Sequence, residues 1–146
     1  MSKRVLIFGG TFDPPHLAHT TLAARAAALL ECDNILFIPA AINPLKVNHP
    51  PASNEHRLAM LRLAIAEIPN AKTSTIELDR PGPSYTVDTL RSLKASRHQG
   101  IEASRENANA FFLLIGADQA LDFHRWKEWR DTVSYTHLTL PTNREV

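Results

Sequence analysis

Four short apolar runs alternate with segments of helical period along the chain, and this alternation limits the folds open to it. The runs are Arg4–Phe8, Asn34–Ile38, Lys72–Leu78 and Ala110–Ile115. Between and after them lie helical patterns. His16–Leu30 carries Leu22, Ala26, Leu29 and Leu30 on one stripe, and Asn54–Ile68 carries Leu58, Leu61, Ile65 and Ile68. Ser84–Arg97 follows with Val87, Leu90 and Lys94 in line, and Gln119–Arg130 closes the series. Period-3.6 stripes between near-continuous apolar strands predict an α/β fold in the order βαβαβαβα. Strands apolar on both faces fit a parallel, doubly wound sheet covered by helices on each side, with right-handed crossovers.

A chain of 146 residues predicts a single domain. Sixteen basic and fifteen acidic side chains nearly cancel, to a net charge of +1, and the basic residues are scattered. That composition argues against a nucleic-acid polymer as partner. Cys32 stands alone, so no intrachain disulfide framework is expected and a reducing cytoplasm fits. The N-terminal apolar run is too short for a signal peptide, and no run is long enough to span a bilayer.

In an open parallel sheet, ligands bind beyond the carboxyl ends of the strands, where the strand order reverses. Two glycine turns sit at such ends: Gly9-Gly10 after the first strand and Gly116-Ala117-Asp118 after the last. The first continues as Thr11-Phe12-Asp13-Pro14-Pro15-His16-Leu17-Ala18-His19 and opens a helix. Backbone N–H groups of a glycine turn and a helix N-terminus together favour an anion. His16 and His19, three apart, share one helix face. They could also be a partial zinc site with Asp13, or ordinary helix-start histidines. The proline-rich loop Ala40–Ser53 offers Lys46, either a phosphate ligand or a solvated loop lysine. Thr86 reads as a helix cap, Asp118 as an N-cap or a ribose ligand, and Trp126 and Trp129 as core.

Taken together, the motifs resemble a known family. Gly-Gly-Thr-Phe-Asp-Pro-Pro-His-x-x-His is similar to the phosphate-binding signature of the nucleotidyltransferase superfamily, with Ala18 where His-x-Gly-His has glycine. Pro83-Ser84-Tyr85-Thr86-Val87-Asp88-Thr89-Leu90, Ile115-Gly116-Ala117-Asp118 and Phe123-His124-Arg125-Trp126 resemble segments of bacterial nicotinate-nucleotide adenylyltransferases. The resemblance extends from residue 4 to about 131 and includes Pro44-Leu45-Lys46. It implies a Rossmann-like domain that moves the adenylyl group of ATP to nicotinate mononucleotide and releases pyrophosphate. The implied catalytic residues are His16, His19 and Lys46. ATP would meet Gly9, Gly10, Thr11, Phe12, His16, His19, Gly116 and Asp118, and the pyridine nucleotide Lys46, Tyr85, Thr86 and Trp126. Mg²⁺ would be held through substrate phosphates, with no protein metal ligand. A pantetheine-phosphate or other nucleotidyltransferase is the neighbouring reading, and a catalytically inactive nucleotide-binding fragment is the reading from another class. A homo-oligomer is left open.

The resemblance stops near Asp131. Val133–Val146 is rich in β-branched and alternating residues, as a final strand would be, but it reads more readily as a translated sequencing adapter. The expected domain is therefore 1–132 with a non-family tail 133–146, incomplete at its C-terminus. A Ser-Thr-x-x-Arg segment that grips ATP phosphates in the family has no match after residue 118.

Overall fold

The computed structural model describes residues 3–41, 52–95 and 110–139. Five strands and five helices occur among them: β1 (Arg4–Gly10), α1 (Leu17–Leu29), β2 (Asn34–Pro39), α2 (Asn54–Ile65), β3 (Ala71–Thr73), α3 (Thr86–Ala95), β4 (Ala110–Leu114), α4 (Ala117–Leu121), α5 (Trp129–Tyr135) and β5 (His137–Thr139), with a 3₁₀ turn at Phe123–Arg125. The strands form one parallel sheet in the order β3-β2-β1-β4-β5. The order reverses between β1 and β4, so their carboxyl ends flank the crevice where such sheets bind ligands.

Alternate residues of β1, β2 and β4 enter two separate cores. Leu6, Phe8, Ile35, Phe37, Phe112 and Leu114 pack with Ala23, Ala26 and Ala27 of α1 and Leu61 and Ile65 of α2. On the opposite face Val5, Ile7, Leu36, Ile38, Phe111 and Leu113 meet Leu90 and Leu93 of α3, together with Phe123, Trp126 and Trp129. This is the doubly wound arrangement that the apolar strands predict. α1 approaches the sheet through alanines, and Leu29, expected on its apolar stripe, is 82% exposed.

Two elements differ from the expectation. The third strand ends at Thr73 instead of continuing to Leu78. Ser74 N–H still reaches Phe37 O at 2.9 Å, but the Ile76 N–H then turns to Ser74 Oγ and the Asp79 N–H to Thr75 O. The Ser74 hydroxyl gives the backbone a local partner in place of a ladder, and the Thr75 hydroxyl, donating to Asp79 Oδ2 at 2.9 Å, closes the turn that the Thr75 carbonyl begins. The expected helix Gln119–Arg130 is also broken. Phe123 is buried, with Trp126 at 4.8 Å and Trp129 at 6.1 Å between ring centroids. Trp126 leaves the helical region at ψ 143° and Glu128 is left-handed at φ 47°. Arg91 of α3 then clasps the restarted helix, reaching Glu128 at 2.8 Å and Asp131 at 2.9 Å.

Thr132 is fully buried within α5, and β5 continues the sheet with Phe112, Leu113 and Leu114 opposite His137, Leu138 and Thr139. Among the described residues no helix is long and apolar enough to cross a membrane.

Candidate functional site

The site grows from the end of β1. Gly10 is the last residue of that strand, and its carbonyl accepts the Ala40 N–H at 2.9 Å, on the β2 side. A trans peptide is planar, so the Thr11 N–H on the same peptide points the other way, toward the β4 side and the crevice. The Thr11 carbonyl in turn accepts Arg57 Nη1 at 2.9 Å, which directs the Phe12 N–H away from the buried guanidinium. Phe12 takes a left-handed φ of 50°, and its ring is driven inward. It is 3% exposed and meets the edges of Phe8, Phe37 and His19 at centroid distances of 5.6, 6.0 and 5.2 Å. The residue thus leaves its backbone at the turn, and its ring anchors the turn in the core.

The two histidines stand at the start of α1. His16 is extended at φ −133° and ψ 174° and caps the helix, and its N–H donates to His19 Nδ1 at 3.1 Å. The rings stack at 3.7 Å with 17° between their planes. Because Nδ1 of His19 accepts, the neutral ring carries its proton on Nε2 and can donate there. Burial holds the His19 pKa below its ordinary value, and the neighbouring His16 adds to that. A neutral donor backed by a second, exposed imidazole suits phosphate oxygens. Asp13 accepts the Ala52 N–H at 2.8 Å, so one carboxylate oxygen is used in tying down the start of α2. Among the described residues no group of three or more His, Cys, Asp or Glu is placed to hold a metal.

Across the crevice, β4 is followed by Ile115 and by Gly116, the N-cap of α4, whose N–H donates to Gln119 Oε1 at 3.0 Å. Asp118 is exposed in the first turn of α4. Tyr85 and Thr86 stand half-buried at the start of α3. Lys127 lies over the Tyr85 ring at 4.9 Å and bonds Asp88 at 3.2 Å, so the turn after Trp126 meets the N-terminal end of α3. Trp126 is half-buried against Phe123. Lys46 lies outside the described residues, as does most of the loop that carries it.

Two polar residues central to this region escape a reading by motif. Arg57 is 0% exposed, and its guanidinium reaches Ala52 O, Thr11 O, Ala40 O and Asn54 Oδ1 at 3.0, 2.9, 2.6 and 2.6 Å. The signal was available, because Arg57 shares the inward stripe of α2 with Leu61 and Ile65 at spacings of four. Glu77 is 9% exposed and accepts the Thr89 hydroxyl at 2.8 Å, joining the turn after β3 to α3.

With this geometry established, comparison with known proteins is decisive. The cytidylyltransferase-like family model matches residues 7–141. The chain belongs to the cytidylyltransferase-like family. Among curated relatives, a probable nicotinate-nucleotide adenylyltransferase of Roseiflexus sp. (strain RS-1) is 46% identical over 127 residues, 87% of this chain and 59% of the relative. One from Thermus thermophilus is 43% identical over 135 residues, 92% of this chain and 67% of that protein. One from Bordetella petrii is 40% identical over 138 residues, 94% and 64% respectively. This cytidylyltransferase-like chain thus spans about 60% of the length of the first two relatives from Roseiflexus and Bordetella. Its fold matches Plasmodium falciparum nicotinic acid mononucleotide adenylyltransferase complexed with APC, with a TM-score of 0.73 at 19% identity, covering 94% of this chain and 63% of that one. A nicotinate-nucleotide adenylyltransferase structure from Vibrio parahaemolyticus, so described with the qualifier "putative", gives 0.72 at 18%, covering 95% and 73%.

Proposed function

We propose that the chain carries the adenylyl-transfer site for ATP and nicotinate mononucleotide, giving nicotinate adenine dinucleotide and pyrophosphate in the cytoplasm. The carrying observation is the end of β1, where the Thr11 N–H is turned toward the β1/β4 crevice beside two stacked imidazoles. The relatives' names supply the acceptor, and the meeting of Tyr85, Thr86 and the Trp126 turn supplies a place for its ring.

The acceptor's 5′-phosphate is already an anion, so attack on the α-phosphorus needs neither a covalent intermediate nor a strong base. Catalysis rests on alignment and on stabilising charge that spreads over the phosphate oxygens. His16, His19 and the N–H groups of Thr11 and Phe12 supply donors to those oxygens, with Gly10 setting the turn that presents them, and Lys46 a further positive charge. Gly9 and Gly116 leave the two strand ends uncovered, and Asp118 serves the ribose hydroxyls. Trp126 offers an aromatic face to the pyridine. Among the described residues the donors are N–H groups and imidazoles rather than grouped carboxylates, and Mg²⁺ would be carried on the substrate phosphates, where it would offset their charge.

Pyrophosphate release is the test, with ATP and Mg²⁺ against nicotinate mononucleotide, its amide and phosphopantetheine. Release with the first alone, or far faster than with the others, is the expected result. Release only with phosphopantetheine reassigns the acceptor. ATP binding without release with any acceptor identifies a nucleotide-binding fragment.

A further inference from the structure

Arg57 is a cation with 0% exposure, and its four hydrogen bonds among the described residues go to uncharged oxygens. Arginine is almost never fully buried without a counter-charge. Asp13 is the carboxylate that acts on it, yet Asp13 is itself exposed and bonded to the Ala52 N–H. A buried guanidinium satisfied by carbonyls is left with most of its field unneutralised, and field in a low-dielectric interior is felt strongly. Nη1 lies against the β1 turn, where it bonds both Thr11 O and Ala40 O. The first of these bonds holds the Thr11–Phe12 peptide, whose N–H end points away from the guanidinium.

We propose that Arg57 is the positioning residue of the phosphate turn: its fork locks the Thr11 carbonyl inward, which aims the Phe12 N–H outward, and its charge draws a phosphate to that N–H. The proposal rests on the nucleotide-binding reading above and adds to it a specific residue that would touch no substrate. Lysine cannot replace it. A single ammonium has three donors on a flexible stem and cannot reproduce a planar fork that spans Thr11, Ala40, Ala52 and Asn54.

The experiment is a titration of the whole chain with ATP and Mg²⁺, followed by backbone ¹⁵N amide shifts. Wild type and two variants, R57K and N54A, are compared. In wild type the Thr11 and Phe12 amides move and saturate. In R57K, ATP binding weakens by about tenfold or more and the Phe12 response collapses, while amides of the far core such as Leu90 and Leu93 keep their positions. N54A removes one partner of the fork and leaves its charge, and ATP binding weakens by about threefold with a reduced Phe12 response. If R57K does not give a dispersed spectrum, N54A decides. Wild-type affinity and a wild-type Phe12 response in the folded variants overturn the role of Arg57 and leave the nucleotide site standing. Failure of wild type to bind ATP overturns the site itself and this inference with it.

Discussion

His19 does three jobs with one ring. Its Nδ1 accepts the His16 N–H and so fixes the entry of α1, its faces and edges pack against His16, Phe8 and Phe12, and its Nε2 is left to donate. Only the last is chemistry, so truncation separates the roles. His19→Ala is expected to lower turnover by about 100-fold or more, as loss of one donor to a transition-state oxyanion does. The accompanying loss of stability is about 2 kcal/mol, because the ring contacts with His16, Phe8 and Phe12 and the bond that fixes the entry of α1 go together. Steady-state pyrophosphate release and urea denaturation measure the two, and near-wild-type turnover would remove His19 from the chemistry. The same ring sets a pH dependence. Burial and His16 hold its folded pKa below the ordinary value, so on acidification the unfolded chain takes up this proton first. Its contribution is therefore intact above about pH 6.5 and is lost as pH falls through that value and below. Between about pH 7.5 and about pH 5, wild type should lose more thermal stability than His19→Gln. Parallel melting curves for the two would contradict this.

Elements were legible where period decided them and misread where local polar chemistry did. β1, β2 and β4 are apolar on both faces and were recognisable, including the helices that separate them. β3 stops early because Ser74, Thr75 and Asp79 make a turn among themselves, and no apolar pattern reports that. α4 and α5 look like one helix in sequence, since Phe123, Trp126 and Trp129 keep helical spacing. Their burial against the sheet and the hold of Arg91 on Glu128 are tertiary facts. Glu77 belongs to this scale, because its bond to Thr89 spans from the β3 turn to α3. Burial raises its pKa, with Thr89 and Arg80 opposing more weakly. An acid whose folded pKa is raised supports the fold at low pH and loses that support as pH rises through the folded value. Near neutrality, Glu77→Gln keeps an acceptor for Thr89 without a buried charge. It should leave the midpoint of urea unfolding at pH 7 unchanged or higher. Glu77→Ala leaves the Thr89 hydroxyl without that acceptor and should cost about 2 kcal/mol. If Gln is as damaging as Ala, the ionised form is what the fold requires.

At the scale of the molecule, two distant stretches of sequence became one place. Nothing in the spacing between Gly10 and Gly116 says that they are close; the strand order does, because β1 and β4 are neighbours and parallel. A parallel sheet sends both carboxyl ends to the same edge, and the reversal of order opens the crevice between them. The histidine turn was readable from its own residues, whereas Arg57, its support, was hidden by looking like one more charge on an amphipathic helix. This arrangement makes a prediction that depends on topology alone. Mn²⁺ carried on ATP broadens nearby amide resonances through its unpaired electrons. In a titration of the chain, the amides of Gly9–Thr11 and Gly116–Asp118 should broaden first, at opposite sides of one bound phosphate chain. Arg4 and Ala110 pair at the other ends of the same two strands and lie about five residues, or roughly 16 Å, farther away. They should stay sharp at ratios that erase the first set. Broadening of Arg4 and Ala110 at the same ratios as Gly9–Thr11 and Gly116–Asp118, or broadening centred on β3 or β5, would place the nucleotide off the β1/β4 crevice and overturn the site.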